Sequence, residues 1–179
     1  MKIQTTQPGD AIWPQAAALF PDAVGWLDDQ TDGGDYRFLA ATDDDGTLLG
    51  ASVVEIGDLV FGPMSDVPAG FLEGIEVLDA HRRKGIGGAL LRATLDLAWQ
   101  CGCESVRSTV DYDNGAALAL YRSQGMGFIP EEDPDAAQPE HCYAIVAINP
   151  KRVAAGYGCR QDAAHVSQKP RAASENGER

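Results

Sequence analysis

The sequence predicts an α+β fold in which helices pack on a mixed β-sheet. Two observations carry this prediction: short runs of strand-like pattern follow one another with only turns between them, and two longer runs with helical spacing interrupt the second half. The chain has 179 residues and an apolar fraction of 44%, which suits one domain with an ordinary hydrophobic core. The predicted order of elements is β-α-β-β-β-α-β-α-β-β.

Turn signals separate the elements of the first half. Apolar residues recur at helical spacing from Ala11 to Phe20, and Pro21 is expected to end this helix. A tight turn at 43–46 joins two strand-like runs, which predicts a β-hairpin. The segment 57–70 contains two prolines and three glycines, which predicts a loop with an irregular strand. The predicted strands of this half are Lys2–Thr6, Tyr36–Thr42, Leu48–Ile56 and Phe71–Leu78.

Two amphipathic helices are predicted in the second half, over Gly87–Gln100 and Asn114–Gln124, because their apolar residues share one helix face. Strand-like runs follow each of them. Beyond Pro150 the residues are small and polar with no apolar period, so we expect one domain over 1–150 and a mostly disordered tail over 151–179. The predicted strands of this half are Ser105–Val110, Phe128–Ile129 and Tyr143–Ile148.

Charge and composition narrow the classes of function. The net charge is −13, divided into +3 for residues 151–179 and −16 for the rest, so no nucleic-acid partner is expected. The excess of acidic residues before residue 151 either keeps the protein soluble or steers a cationic substrate towards it, and the sequence leaves both interpretations open. No long apolar run is present, so we expect no membrane span and a cytoplasmic protein with reduced cysteines. Cys101 and Cys103 are too close together for a zinc knuckle, so no metal site is expected.

A glycine-rich and basic turn joins a predicted strand to a predicted helix. Its glycines allow a ligand to approach the backbone, and the helix start offers unpaired N–H groups at the positive end of the dipole. A diphosphate would satisfy these groups and the neighbouring cations together. The competing interpretation is a solvent-facing turn; a nucleotide fold is disfavoured because neither GxGxxG nor GxxxxGK[ST] occurs. The turn consists of Arg82, Arg83, Lys84, Gly85, Ile86, Gly87 and Gly88.

The spacing Arg82-x-x-Gly85-x-Gly87 resembles the acyl-CoA pyrophosphate motif of the GNAT superfamily of N-acetyltransferases. This resemblance implies a three-layer fold with a mixed, mostly antiparallel central sheet flanked by helices. It also implies that residues 82–88 hold the pyrophosphate of acetyl-CoA. The strand with Ile75 and Val77 would pair its backbone with the pantetheine arm. The family often has a glycine where this chain has Arg83.

The second helix resembles another motif of that family, in the pattern Asn114-x-x-Ala117-x-x-x-Tyr121. These residues share one helix face. By resemblance, Asn114 would bind the pantetheine amides and Tyr121 would protonate the leaving thiolate. The competing interpretation is Asn114 as a helix N-cap and Tyr121 as a core aromatic. The family usually has Gly-Phe shortly after the tyrosine, whereas here Gly125 is followed by Met126, so either Met126 fills the aromatic's place or two residues are inserted.

Transfer of an acetyl group to an amine requires a base, because an ammonium of pKa about 10 must first lose a proton. Glu73 and Glu76 are the candidates, and strand alternation is expected to place them on opposite faces. Glu73 is favoured because it lies nine residues before Arg82, where the family often has its base. A solvent-facing or ion-paired glutamate is the alternative. A backbone N–H near Val77 would stabilise the oxyanion.

The predicted function is therefore an acetyl-CoA-dependent N-acetyltransferase that moves an acetyl group to a primary amine by direct attack. The alternative is a non-catalytic acyl-CoA-binding sensor or regulatory module. Acidic residues at 131–135 and Glu140 suggest a cationic acceptor, and His141 is expected to lie at the surface. Dimers are frequent in the family, so a homodimer is one option for the oligomeric state.

Overall fold

A computed structural model of the chain describes residues 1–28, 35–57, 69–130 and 142–151. Met1–Asn149 form one compact unit. The tail predicted over 151–179 lies outside the described residues apart from Lys151, as do most of the loop predicted over 57–70 and the acidic residues at 131–135 with Glu140 and His141.

The centre of the unit is a seven-stranded mixed sheet with the order β1-β2-β3-β4-β5-β7-β6. Neighbouring strands are antiparallel at every step except one, because β4 and β5 run parallel. This confirms the mixed, mostly antiparallel sheet that the resemblance implies. The strands are β1 Lys2–Thr6, β2 Asp35–Thr42, β3 Leu48–Gly57, β4 Ala69–Val77, β5 Ser105–Asp111, β6 Gly127–Pro130 and β7 Cys142–Ile148.

The helices agree with the sequence prediction except at Pro21. The single helix predicted over 11–20 is wrong: a short helix α1 spans Trp13–Ala17, and a second helix α2, Pro21–Asp28, begins at the residue expected to end the first. Proline suits the first turn of a helix because its missing N–H has no intrahelical partner there. A 3-10 turn at Asp79–His81, which the sequence did not reveal, precedes α3, Ile86–Gln100, and α4 spans Gly115–Ser123.

Helices cover both faces of the sheet and give three layers. On one face, Phe38 of β2 lies edge-on to Trp13 of α1, with ring centroids 4.7 Å apart. On the other face, the fully buried Leu90 and Leu91 of α3 fill the core, together with Leu118 of α4. Removing a leucine side chain buried to this degree costs about 2–5 kcal/mol, so these contacts fix α3 and α4 against the sheet.

Candidate active site

The sheet opens between β4 and β5. Their parallel pairing has three partner pairs, Ala69 with Ser105, Gly70 with Val106 and Phe71 with Arg107, and beyond these the described strands separate. A cavity of about 290 Å³ lies in the resulting gap. We call this space the strand gap. It is lined by residues 73–76 of β4, 108–111 of β5, and Asn114, Ala117 and Tyr121 at α4.

A larger cleft of about 800 Å³ lies elsewhere, lined by residues of β1, the first turns and the hairpin at 42–46. None of the residues predicted to act in catalysis or cofactor binding borders it. The strand gap is therefore the candidate site because of the chemistry of its lining rather than its size.

A β-bulge shapes the β4 side of the strand gap. In the pairing of β3 with β4, Val53 is opposite Gly74 and Val54 is opposite Leu72, so Glu73 is an extra residue. An extra residue in one strand shifts its side-chain alternation by one position beyond the bulge. The bulge therefore changes which side chains share a face of β4.

The prediction that Glu73 and Glu76 lie on opposite faces is wrong because of this bulge. Glu76 pairs with Ala51, which packs in the core beneath α1. Gly74 lies on the same face, since a Cβ there would be 2.9 Å from Phe20. Leu72 points to the other face of the sheet, into the core beneath α3 and α4. Alternation from Leu72 therefore places Glu73 on the same face as Gly74 and Glu76.

Glu73 has the electrostatic environment of a base that works near neutral pH. Burial, together with a smaller effect of the nearby carboxylate of Glu55, raises the pKa of its carboxyl from 4.5 to about 7. The side chain is half-buried, whereas Glu76 is exposed. A carboxylate with a pKa close to the working pH combines a useful deprotonated fraction with the basicity needed to take a proton.

Tyr121 is buried against the core and also lines the strand gap, so the two interpretations of this residue are compatible. Burial raises the pKa of its phenol above 10, and a hydrogen-bonding contact with Ser108 lowers it in part. The phenol is therefore protonated at neutral pH and has a proton to donate.

Asn114 caps α4, as the competing interpretation holds. Its side-chain Oδ1 accepts a hydrogen bond from the backbone N–H of Ala117 at 3.1 Å. This bond fixes the carbonyl of the amide group, so Nδ2 is the atom that could donate to a pantetheine carbonyl. The small Ala117 side chain lines the same space.

The start of α3 has the features of an anion site. Gly85 is the N-cap residue with a left-handed φ of 81°, and no side chain caps the helix. The first backbone bond of the helix is donated by Ala89 to Gly85, so the N–H groups of Ile86, Gly87 and Gly88 precede it without intrahelical partners. Together with the dipole of a 15-residue helix, these groups favour a phosphate.

Two of the three cations on this turn hydrogen-bond to the backbone just before it. Arg82 donates from Nε to the carbonyl of Val77 at 3.0 Å and forms an ion pair with Asp79. Lys84 donates to the carbonyl of Ala80 at 2.9 Å. The backbone N–H groups are thus the preformed donors. Because the Arg82–Asp79 pair is exposed, exchanging it for a phosphate contact would cost little.

Gly87 and Gly88 are not required by the packing of the chain. A Cβ at Gly87 would lie 3.6 Å from Leu120 and 3.7 Å from Val77, and one at Gly88 would lie no closer than 3.6 Å to Arg92. These are ordinary van der Waals distances. Close approach of a ligand to the backbone gives a better reason for glycine at this helix start.

Comparison with known proteins agrees with this geometry. The family described as Acetyltransferase (GNAT) family matches residues 7–128. The chain belongs to this family. Membership of this family implies an acyl-CoA co-substrate, and acetyl-CoA is the one that the family description indicates.

Two curated relatives are acetyltransferases with different acceptors. The aminoglycoside N(6')-acetyltransferase type 1 of Acinetobacter haemolyticus is 45% identical over 58 residues, which cover 32% of this chain and 40% of that protein. The L-methionine sulfoximine/L-methionine sulfone acetyltransferase of Pseudomonas aeruginosa is 28% identical over 115 residues, 64% of each chain. The matched part of the chain thus spans less than two thirds of either relative.

Solved structures of low sequence identity share the fold. Arabidopsis thaliana NAA60 in complex with acetyl-CoA has a TM-score of 0.63 at 17% identity, covering 83% of this chain and 100% of that one. The ribosomal-protein-alanine N-acetyltransferase of Brucella melitensis has a TM-score of 0.61 at 20% identity, covering 83% and 100%. These similarities confirm the GNAT fold.

The structure also accounts for the sequence after Tyr121, where Met126 follows Gly125 in place of the family's usual phenylalanine. Gly125 ends α4 with a left-handed φ of 74°, and Met126 is buried in the core with Tyr121 and Leu118. β6 then begins at Gly127. Met126 therefore fills a core position next to the tyrosine.

Two residues of the site were missed by sequence reasoning, Ser108 and Glu55. Ser108 lies between Val106 and Val110, at an inward position of β5. A serine in an apolar inward row was a signal that could have been noticed. The charge of Glu55 raises the pKa of Glu73 because the pairing of β3 with β4 brings the two residues together. This proximity depends on the strand register, so no local sequence pattern reveals it.

Within the described residues, no group of three or more His, Cys, Asp or Glu side chains is arranged to hold a metal ion. Cys101 is exposed and Cys103 is buried, both as free thiols. None of the helices in the described ranges is long and apolar enough to cross a membrane.

Proposed function

We propose that this protein transfers the acetyl group of acetyl-CoA to a primary amine by direct attack of the amine, with Glu73 as the base and Tyr121 as the acid. The observation that carries the proposal is the lining of the strand gap. A half-buried carboxylate with a raised pKa and a buried phenol line the same space. Environments that keep one group ready to accept a proton and the other ready to donate one suit acid–base catalysis.

Acetyl-CoA would lie along β4 with its diphosphate at the start of α3. The N–H groups of Ile86, Gly87 and Gly88 would donate to the diphosphate, with Arg82, Arg83 and Lys84 around it. The pantetheine arm would enter the strand gap, where the backbone of β4 near Ile75 and Val77 has no partner in β5. The amide of Asn114 would meet it from the other wall.

The reaction would proceed through a tetrahedral intermediate. The amine nitrogen attacks the thioester carbonyl carbon, and a backbone N–H near Val77 stabilises the oxyanion. Glu73 takes the proton that the amine loses, directly or through water. Collapse of the intermediate breaks the C–S bond, and Tyr121 gives its proton to the departing thiolate. The products are the acetylated amine and CoA.

A cationic acceptor is the form of amine that the charge distribution supports. Glu55, Glu73 and Glu76 lie on one face of the sheet beside the strand gap. Neighbouring carboxylates attract cations and disfavour anionic acceptors. An ammonium bound there would also reach a base that can deprotonate it.

A thiol-release assay with a panel of amines tests the proposal. The panel contains an aminoglycoside, L-methionine sulfoximine, a polyamine and a peptide with a free N-terminus, and mass spectrometry identifies the product. We expect amine-dependent release of CoA with one acetyl group added to the acceptor. Stabilisation by acetyl-CoA with no thiol release for any amine would favour the non-catalytic module instead.

A further inference from the structure

Ser108 lies at the point where β4 and β5 separate. It follows Arg107, the last residue of β5 that pairs with β4. Its side chain is buried, and its Oγ donates to the backbone carbonyl of Leu72 at 2.7 Å. Leu72 directly precedes Glu73, so this hydrogen bond holds the peptide group from which the proposed base extends.

The same hydroxyl contacts Tyr121. A serine hydroxyl has one proton and two lone pairs. Ser108 Oγ lies 2.7 Å from the Leu72 carbonyl oxygen and 3.3 Å from that of Thr109, so the shorter bond to Leu72 takes the proton. With that proton directed at the Leu72 carbonyl, Ser108 Oγ would accept a hydrogen bond from the phenol of Tyr121 in the resting state. Two hydrogen bonds would then run from Tyr121 through Ser108 to Leu72, at the end of the strand gap where β4 and β5 separate.

We propose that Ser108 is a positioning residue that holds the Tyr121 hydroxyl at the strand gap and ties it to the peptide group of Leu72 and Glu73. This inference rests on the proposed function, because it acts through the acid and the base named there. In this proposal Ser108 acts through Tyr121 and Glu73 rather than on the reacting atoms.

The hydrogen-bond chain also suits the proton transfer that Tyr121 makes. When the phenol gives its proton to the CoA thiolate, the Ser108 hydroxyl can turn its own proton from the Leu72 carbonyl to the phenolate. The contact with Ser108 lowers the pKa of Tyr121 against the larger raising effect of burial, which agrees with such donation. Re-protonation of Tyr121 from solvent restores the resting arrangement.

A purely structural role would be the alternative, and the chain contains a matched control for it. Ser52, like Ser108, is a buried serine on a strand, and it shares a hydrogen bond of 2.8 Å with Thr94 of α3. This bond lies in the core and not at the strand gap. Ser52→Ala therefore removes a comparable buried hydroxyl without touching the proposed machinery.

A double-mutant cycle of Ser108 and Tyr121 tests the inference. We expect Ser108→Ala to lower kcat by about 10- to 100-fold with little change in the KM for acetyl-CoA, Ser108→Thr to restore most of the rate, and Ser52→Ala to leave kcat near that of the wild type. The variant with both Ser108→Ala and Tyr121→Phe should be no slower than Tyr121→Phe alone. Independent losses that multiply in the double variant would overturn the inference, and so would a Ser108→Ala rate equal to that of Ser52→Ala.

Two further measurements keep the test decisive. If Ser108→Ala melts below the assay temperature, the nearly isosteric Ser108→Cys replaces it under the same criteria. The difference in tyrosine absorbance between the wild type and Tyr121→Phe follows the ionisation of Tyr121 without any assay of activity. Loss of the Ser108 hydroxyl should shift this titration to higher pH, and an unchanged titration would refute the contact. If the titration of Tyr121 shifts as expected on loss of the Ser108 hydroxyl, but the wild type releases no thiol with any amine, the proposed function alone is refuted.

Discussion

Replacing Glu73 by glutamine should make the protein more stable at pH 8 while it removes most of the activity. The carboxyl of Glu73 has its pKa raised from 4.5 to about 7, by burial and by the charge of Glu55. The folded protein thus binds this proton more tightly than the unfolded chain, so stability falls as the pH rises from about 4.5 to 7 and stays reduced above that range. Glutamine has no charge to desolvate and lacks this penalty.

The size of the effect follows from the raised pKa. Taken in full, a pKa rise from 4.5 to about 7 corresponds to about 3.4 kcal/mol. Because the side chain is only half-buried, solvent screening reduces the penalty, and we expect about 1 to 2 kcal/mol. For a protein of this size the melting temperature should rise by about 3–6 °C.

Thermal melts of the wild type and Glu73→Gln at pH 4.5 and pH 8 measure this difference. We expect the two proteins to melt almost together at the lower pH and to separate at the higher pH. Glu76→Gln removes the same charge from an exposed position of the same strand and should change stability by less than about 0.5 kcal/mol. In parallel, kcat/KM of Glu73→Gln should fall by about 100-fold or more.

A stability gain that is the same at both pH values would contradict the reasoning, because it would arise from packing rather than from ionisation. A Glu73→Gln variant with wild-type activity would remove Glu73 from the role of base. In that case Glu76 would become the candidate for that role.

Three other variants test separate parts of the site. Tyr121→Phe should lower kcat by about 100-fold with the KM for acetyl-CoA little changed, and an unaffected kcat in steady-state assays would exclude the phenol as the acid. Glu55→Gln should move the acidic limb of the kcat/KM pH profile to lower pH, because it removes a charge that raises the pKa of Glu73; a limb that stays in place would contradict this. Arg83 has a left-handed φ of 63°, which strains a residue with a side chain. In denaturant unfolding, the free energy of unfolding of Arg83→Gly should match or exceed that of the wild type, whereas Arg83→Val should lose about 1 kcal/mol. Equal losses in the two variants would show that the backbone at Arg83 is not strained.

The glycine-rich helix start could be predicted from the sequence because its signals are local. A glycine at a helix start, unpaired N–H groups and nearby cations lie within a few residues of one another, and the structure places Gly85 to Gly88 at the start of α3 as expected. The orientation of the cations could not be predicted in this way. Arg82 donates to the carbonyl of Val77 at the end of β4, and Lys84 donates to that of Ala80 in a 3-10 turn that has no clear sequence signal.

The faces of β4 could not be predicted because they depend on pairing with β3. Alternation holds within a regular strand, and one extra residue reverses it for every position beyond. The bulge at Glu73 appears only in the register, where Val53 and Val54 pair on either side of it. Sequence reasoning therefore gave the wrong face for Glu76, while the choice of Glu73 as the base stays a prediction.

Interactions between distant segments define the rest of the site. Ser108 and Leu72 are 36 residues apart, and their hydrogen bond exists only because β5 lies beside β4. Glu55 similarly reaches Glu73 through the sheet. Such pairs are set by tertiary packing, so the sequence could name single candidate residues but not the electrostatic interactions between them.

A crystal structure of the protein with bound acetyl-CoA tests the central claim most directly. We predict that the diphosphate lies against the N–H groups of Ile86, Gly87 and Gly88, and that the pantetheine arm enters the strand gap with its thioester between Glu73 and Tyr121. Density for acetyl-CoA elsewhere, such as the cleft beside β1, or a thioester out of reach of both side chains, would contradict the account.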